Sequence, residues 1–73
     1  MGMEVIKYVA AGLGAGLSVI GAAIGIGKIG AAALEATGRQ PEAGKMAQLT
    51  MIIGAAFIEG VAFFSLVICF MML

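Results

Sequence analysis

The feature that most constrains this chain is the run from Leu49 to Leu73, LTMIIGAAFIEGVAFFSLVICFMML, whose single charged residue is Glu59. An α-helix rises about 1.5 Å per residue, so about 20 apolar residues cross a hydrocarbon layer about 30 Å thick. The run is long enough to cross, and Glu59 falls near its middle. An ionised acid there costs about 3 kcal/mol on insertion scales, so the low dielectric favours the protonated form. The run therefore predicts a membrane-spanning helix whose carboxyl can hold or release a proton.

The composition also favours a membrane protein over a soluble domain. Of 73 residues, 63% are hydrophobic, and four basic and four acidic residues leave a net charge of zero. A soluble chain this short has little core in which to bury so much apolar surface. Basic blocks, His and Trp are absent, so nucleic-acid binding and metal ligation by imidazole have no support. We also expect no cofactor and no catalytic residue. Cys69 is expected to be a small buried apolar residue.

A second apolar stretch, uncharged from Tyr8 to Gly27, is longer than the apolar region of a signal peptide and predicts a permanent first span. Pro41 and the polar residues around it, TGRQPEAGK, predict a turn. We therefore expect an all-α membrane protein, a two-span transmembrane helical hairpin without separate domains. Its predicted parts are helix one at about 8–37, a polar loop at about 38–45 and helix two at about 46–73. Loop cations slightly favour a cytoplasmic loop.

Small residues form two stripes on opposite faces of helix one at 100° per residue. Such stripes let membrane helices approach closely, and two opposed stripes favour a helix flanked on both sides by copies of itself, which closes into a homo-oligomeric ring. The alternative is that glycine is simply common in membrane helices. The first stripe holds Gly14, Gly21, Gly25 and Ala32, and the second holds Gly12, Gly16, Ala23, Gly27 and Gly30. The residues predicted to pack the ring are Gly21, Ala23, Gly25 and Gly27.

Two further faces of helix one lie between the stripes. The face with small side chains is predicted to contact helix two, and it holds Ala15, Val19, Ala22, Ile26 and Ala33. The other is predicted to face the ring interior, and it holds Leu13, Leu17, Ile20, Ile24, Lys28 and Glu35. Lys28 is expected to stretch toward the loop side and Glu35. A direct effect on Glu59 is the alternative, although Ile26 is the residue placed to face Glu59.

Three segments together resemble the c-subunit family of the rotary F-type ATP synthase, the proteolipids of the membrane rotor. These are a glycine-rich first helix, GAAIGIGKIG, a polar loop, GRQPEA, and a mid-membrane carboxyl in AFIEG. The resemblance covers nearly the whole chain. It implies a closed ring with helix one inside and helix two outside, in which reversible protonation of Glu59 drives rotation.

The resemblance also implies partners and a location. The loop residues Arg39, Gln40 and Pro41 would contact the central stalk of the catalytic portion, and a stator protein would present an arginine beside the ring. Membrane lipids would surround the assembly, most simply in a bacterial plasma membrane with the loop in the cytoplasm. The chain itself would be a non-catalytic component.

The side chains predicted to surround Glu59 indicate which ion the carboxyl binds. Sodium needs several oxygen ligands. Sodium-coupled relatives carry polar side chains where this chain has Ile26, Gly60 and Phe64, and this departure favours protons. The carboxyl would then donate to a backbone carbonyl, such as that of Phe57, or to water.

Three other functions remain open at this stage. A structural or regulatory membrane hairpin would keep Glu59 permanently paired with a basic residue of a partner. A sodium-coupled rotor would use the same carboxyl. A compact efflux protein would need more spans and an aromatic substrate pocket.

Overall fold

The computed structural model describes residues 2–73 and shows two long antiparallel helices. Helix α1 runs over Gly2–Arg39 and helix α2 over Gly44–Met71, joined by Gln40 and one 3₁₀ turn at Pro41–Ala43. The molecule measures 60 × 15 × 6 Å. Both helices are long and apolar enough to cross a membrane. The predicted all-α, two-span hairpin is therefore confirmed.

The turn between the helices lies where Pro41 interrupts the chain. The residue before a proline avoids the helical region, and Gln40 has φ −136° and ψ 86°. The amide of Gln40 still donates to the Ala36 carbonyl at 2.9 Å, and that of Ala43 donates to the Gln40 carbonyl at 2.9 Å. A Cβ at Gly44 would lie 3.1 Å from Thr37 Cγ2, so glycine allows α2 to begin close against α1. The turn is consequently shorter than the predicted loop.

The helices pack in one constant register. A Cβ at Gly14 would lie 2.8 Å from Cys69 Sγ, and one at Gly25 would lie 3.2 Å from Ile58 Cδ1. Between these two levels, the hydroxyls of Ser18 and Ser65 form a hydrogen bond. Nearer the loop, a Cβ at Gly54 would lie 3.2 Å from Ile29 Cδ1. Each move toward the loop along α1 is matched by an equal number of residues toward the loop along α2. This register determines which residues of the two helices lie at the same depth.

Little of the molecule is buried within one chain. In the described residues 2–73, only Ala11 and Cys69 are buried, while Phe57, Phe64 and most other large apolar side chains are exposed. The prediction of a buried Cys69 is confirmed. Apolar surface on this scale is stable in contact with lipid or with other chains rather than with water.

The faces of α1 largely follow the expectation. Ala15, Ala22, Ile26 and Ala33 are half-buried toward α2, whereas Val19 is 55% exposed. The face predicted for a ring interior is exposed throughout.

Two details differ from the sequence prediction. Helix α1 begins at Gly2 rather than near residue 8, because the charged residues Glu4 and Lys7 continue the helix beyond the apolar stretch. Gly14 and Gly25 of the first small-residue stripe contact α2 of the same chain, so these two are not free for another copy in the way the stripe alone suggested. Gly21, by contrast, has open space where its Cβ would be.

Candidate functional site

Glu59 lies halfway along α2 on a surface that does not face α1. Its neighbour Ile58 is half-buried against Gly25, and one residue further turns the side chain by 100°. Glu59 is consequently exposed. It lies about 22 Å along the helix from Gly44 and about 18 Å from Met71. Its depth is therefore close to the middle of any membrane that α2 crosses.

Ile26 lies on the same side of the hairpin as Glu59. It is half-buried at the edge of the interface between the helices. We call this side, with Ile26 on α1 and Glu59 on α2, the carboxyl flank. That Ile26 contributes to the surroundings of the Glu59 carboxyl stays a prediction.

Two open grooves run along the opposite side of the hairpin, which we call the groove flank. The first encloses about 460 Å³ between Gly21 and Gly25 on α1 and Phe57 and Val61 on α2. The second, nearer the loop, encloses about 510 Å³ and is lined by residues including Ala32 and Thr50. Both are predominantly apolar. Phe57 is turned 100° from Ile58 in the opposite sense to Glu59, so grooves and carboxyl lie on opposite flanks.

The four residues predicted to surround Glu59 lie on different sides of the hairpin. Phe57 and Phe64 share a face of α2, spaced by seven residues, and this face lies on the groove flank. Gly60 is exposed with open space where its Cβ would be, and it lies on the side of α2 away from α1. Within one chain, Ile26 is the one of the four predicted residues that lies on the carboxyl flank. The side chains of Phe57 and Phe64 point to the opposite flank, and Gly60, the residue after Glu59, has no side chain to offer.

Among the described residues 2–73, Glu59 has no polar partner. The side-chain hydrogen bonds among residues 2–73 involve Ser18, Ser65, Thr37 and the pair formed by Arg39 and Glu35. An ionised carboxyl without a partner is costly at mid-membrane depth.

Lys28 lies on the groove flank, seven residues after Gly21 of the first groove and four before Ala32 of the second. It is exposed. Glu35 instead accepts a hydrogen bond from Arg39 at 2.6 Å. The prediction that Lys28 reaches toward Glu35 is therefore wrong.

The loop residues Arg39, Gln40 and Pro41 are exposed together at one end of the hairpin. The pair of Arg39 and Glu35 is solvent-accessible on both sides, with 76% and 65% of the side chains exposed. The loop thus offers a polar surface at one tip of an otherwise apolar rod.

The serine pair between the helices is the main feature that sequence reasoning missed. Ser18 Oγ donates its proton to the Gly14 carbonyl at 2.8 Å, so Ser65 donates to Ser18. Two serines 47 residues apart give no signal of pairing until the register is known. Within residues 2–73, no group of His, Cys, Asp and Glu is arranged to hold a metal ion.

Comparison with known proteins adds a family assignment to this geometry. The sequence model of the ATP synthase C-subunit family matches residues 9–72. An ATP synthase c-subunit of Bacteroides thetaiotaomicron is 55% identical over 64 residues, which are 88% of this chain and 75% of that protein. One of Dehalococcoides mccartyi is 50% identical over 68 residues, 93% of this chain and 90% of that protein. No solved structure matches the chain.

Proposed function

The chain belongs to the ATP synthase c-subunit family, and on this basis we propose that it carries protons in the rotor ring of a rotary F-type ATP synthase. One observation carries the proposal: Glu59 is exposed at mid-span, on the flank of an apolar hairpin, with no polar partner in the part of the chain that the structure describes. Such a carboxyl can exchange a proton wherever a neighbouring protein gives access to water.

The shape of the hairpin supports a ring with α1 inside. Nine of the twelve glycines lie on α1, whereas all four phenylalanines lie on α2. The pair is therefore narrow on the α1 side and wide on the α2 side. Hairpins of this wedge shape, packed side by side, form a closed ring with the thinner helix α1 on the inside. The carboxyl flank of each copy then faces the groove flank of the next, with Gly21 at this contact and with Ala23 and Gly27 on the inner side, where the copies converge.

The chemistry of rotation follows from the charge of Glu59. Facing lipid, the side chain is neutral because an ionised carboxylate costs several kcal/mol there. Beside a stator arginine, the opposite charge favours the carboxylate, so proton exchange is confined to that position. Each proton that crosses about 100 mV releases about 2.3 kcal/mol, and rotation passes the sum to catalytic sites in other proteins of the complex. The chain needs no catalytic group or cofactor of its own for this role.

The other proposed partners are the central stalk and the membrane lipids. The exposed loop with Arg39, Gln40 and Pro41 would contact the central stalk. Lipids would cover the phenylalanine-rich outer face. The bacterial relatives favour a bacterial plasma membrane, with the loop in the cytoplasm.

The apolar residues on both flanks favour protons over sodium as the coupling ion. Sodium needs several oxygen ligands, whereas Ile26, Gly60 and Phe64 offer no side-chain oxygen. Reaction of Glu59 with a hydrophobic carbodiimide tests this, because the reagent requires a protonated carboxyl. An exposed glutamate in water is almost fully ionised at about pH 8. We expect labelling of Glu59 to persist there and to be unaffected by sodium; protection by sodium would contradict proton coupling.

A structural hairpin with a permanently paired glutamate is the competing function. Glu59→Gln separates the two, with Glu59→Asp as the matched control that keeps an ionisable group. We expect Glu59→Gln to abolish proton-driven ATP synthesis while the ring still assembles. Normal synthesis in the glutamine variant would leave the structural hairpin as the better account.

A further inference from the structure

Helix α2 carries three uncharged side chains with an amide or hydroxyl group, Gln48, Thr50 and Ser65. Ser65 is hydrogen-bonded to Ser18, whereas neither Gln48 nor Thr50 makes a side-chain hydrogen bond within residues 2–73. Both are exposed. A polar group that is left unpaired in apolar surroundings costs free energy. We therefore expect Gln48 and Thr50 to bond to groups outside their own chain.

Thr50 differs from the other hydroxyl residues of the hairpin in its position. Ser18 and Thr37 each donate to the carbonyl four residues earlier at 2.8 Å, and no such bond joins Thr50 to Met46 in the part of the chain that the structure describes. Thr50 instead lines the second groove, together with alanine, glycine, isoleucine and methionine residues. It is the one lining residue with a polar side chain, so this apolar groove offers a single hydroxyl.

Gln48 and Thr50 lie on opposite flanks of the hairpin. Gln48 precedes Glu59 by eleven residues, which is close to three full helical turns, so Gln48 points within about 20° of Glu59 and lies on the carboxyl flank. Thr50 precedes Phe57 by seven residues, so these two residues share the groove flank. The side chains of Gln48 and Thr50 consequently cannot meet within one chain.

The symmetry of a ring brings these two residues together between chains. Neighbouring copies in the ring of the proposed function are related by rotation about the membrane normal, which leaves the depth of every residue unchanged. Gln48 and Thr50 differ by two residues, or about 3 Å in depth. Both belong to α2, so the contact between a carboxyl flank and a groove flank places Gln48 of one copy opposite Thr50 of the same helix in the next.

The spacing of adjacent α2 helices suits a long side chain. These helices lie on the wide side of the wedge, so their axes stand further apart than those of the glycine-rich α1 helices. A helix with its side chains is about 10–12 Å across, and a threonine in such a gap needs a partner that extends well beyond its own Cβ. Glutamine does so, and the alanine and glycine residues that line the groove leave room for its amide.

We propose that the Gln48 side chain of each copy enters the second groove of the next copy and donates a hydrogen bond from its amide to the Thr50 hydroxyl oxygen. The proposal rests on the ring of the proposed function. Hydrogen bonds of this kind between membrane helices stabilise their association. The bond lies about 16 Å from Glu59 toward the loop, so it joins the copies at the loop end and leaves the Glu59 carboxyl free to gain and lose its proton.

Cross-linking of the assembled ring tests the pair. The double variant Gln48→Cys, Thr50→Cys is made in a Cys69→Ala chain, which contains no other cysteine. A bifunctional methanethiosulfonate with a one-carbon spacer joins the thiols, since cysteine is shorter than the glutamine it replaces. The two positions lie on opposite flanks of one helix, so a link between them joins two chains. We expect ladders of dimers, trimers and larger species in denaturing gels.

Leu49→Cys, Thr50→Cys in the same background is the matched control. Leu49 lies at nearly the depth of Gln48 but is turned 100° from it, toward the side of α2 that faces away from α1. We expect no ladder from this control. Intact rings that react with a carbodiimide at Glu59 but give no ladder in the test variant, or equal ladders in both variants, overturn the pair and leave the rotor function standing. Failure of the parent chain to form a ring overturns both.

A double-mutant cycle separates the hydrogen bond from simple packing. Gln48→Leu and Thr50→Val remove the polar groups and keep side chains of similar size. Each should shorten the half-life of the ring in a denaturing detergent at least twofold, and the double variant should be no less stable than Gln48→Leu alone. Thr50→Ser, which keeps the hydroxyl, should retain the parent half-life. If water at the membrane surface satisfies both groups, neither substitution shortens the half-life, and that result overturns the pair.

Discussion

Cys69 Sγ lies 2.8 Å from the position that a Cβ would take at Gly14, which makes this the tightest contact that a glycine makes in the hairpin. Real Cβ atoms do not approach a sulfur so closely, and Cys69 is buried, so its side chain has little room to move. The contact holds α1 against the C-terminal end of α2, far from the loop.

Gly14→Ala should therefore destabilise the hairpin. Overpacking of this kind costs about 1–3 kcal/mol. Thermal loss of helicity in detergent measures the effect, and Gly12→Ala, where a Cβ meets nothing within 4 Å, is the control. Addition of Cys69→Ala to Gly14→Ala removes the clashing sulfur and should restore most of the loss. An unchanged midpoint in Gly14→Ala would show that the helices are further apart than the structure places them.

The Ser18 and Ser65 hydroxyls should be energetically coupled. Hydrogen bonds between membrane helices contribute about 0.6 kcal/mol on average. We expect Ser18→Ala and Ser65→Ala each to destabilise the hairpin, and the double variant to be no worse than Ser18→Ala alone. A double-mutant cycle on unfolding free energies gives the coupling directly, and strictly additive effects would contradict the bond.

Gly21 should matter to the ring more than to the hairpin. A Cβ at Gly21 meets nothing within 4 Å in its own chain, so Gly21→Leu should leave the helicity of the isolated hairpin unchanged. Against a close neighbour on the groove flank, the larger side chain should weaken each contact at least tenfold, or about 1.4 kcal/mol. Native mass spectrometry in mild detergent measures ring yield. Ala31→Leu, on the side of α1 turned away from α2, is the control; equal yields from both variants would remove Gly21 from the interface.

Polar replacements around the carboxyl should change the coupling ion. The triple variant Ile26→Gln, Gly60→Ser, Phe64→Tyr supplies oxygen ligands that sodium requires, from two adjacent copies. We expect sodium to slow carbodiimide labelling of Glu59 in this variant and not in the parent chain. Absence of protection in this variant would mean that other atoms determine ion selectivity.

The architecture was accessible from the sequence because membrane spans are set by local chemistry. Apolar runs of sufficient length, one proline and a polar turn allow few folds other than a hairpin. Glu59 was equally accessible, since a lone acid in such a run contrasts sharply with its surroundings. The family likeness of the loop and both helices was readable from short motifs for the same reason.

The sequence alone determined which residues carry charge in the membrane, but only the tertiary structure decided where they lie relative to each other. The pairing of Gly14 with Cys69 and of Ser18 with Ser65 fixes the register, and register depends on contacts between residues far apart in the chain. That register placed the apolar grooves and Glu59 on opposite flanks, and it turned Gly25 toward Ile58 rather than toward another copy. Helical periodicity gives the direction in which a side chain points from its own helix. Which residue lies in that direction depends on how the helices pack against each other.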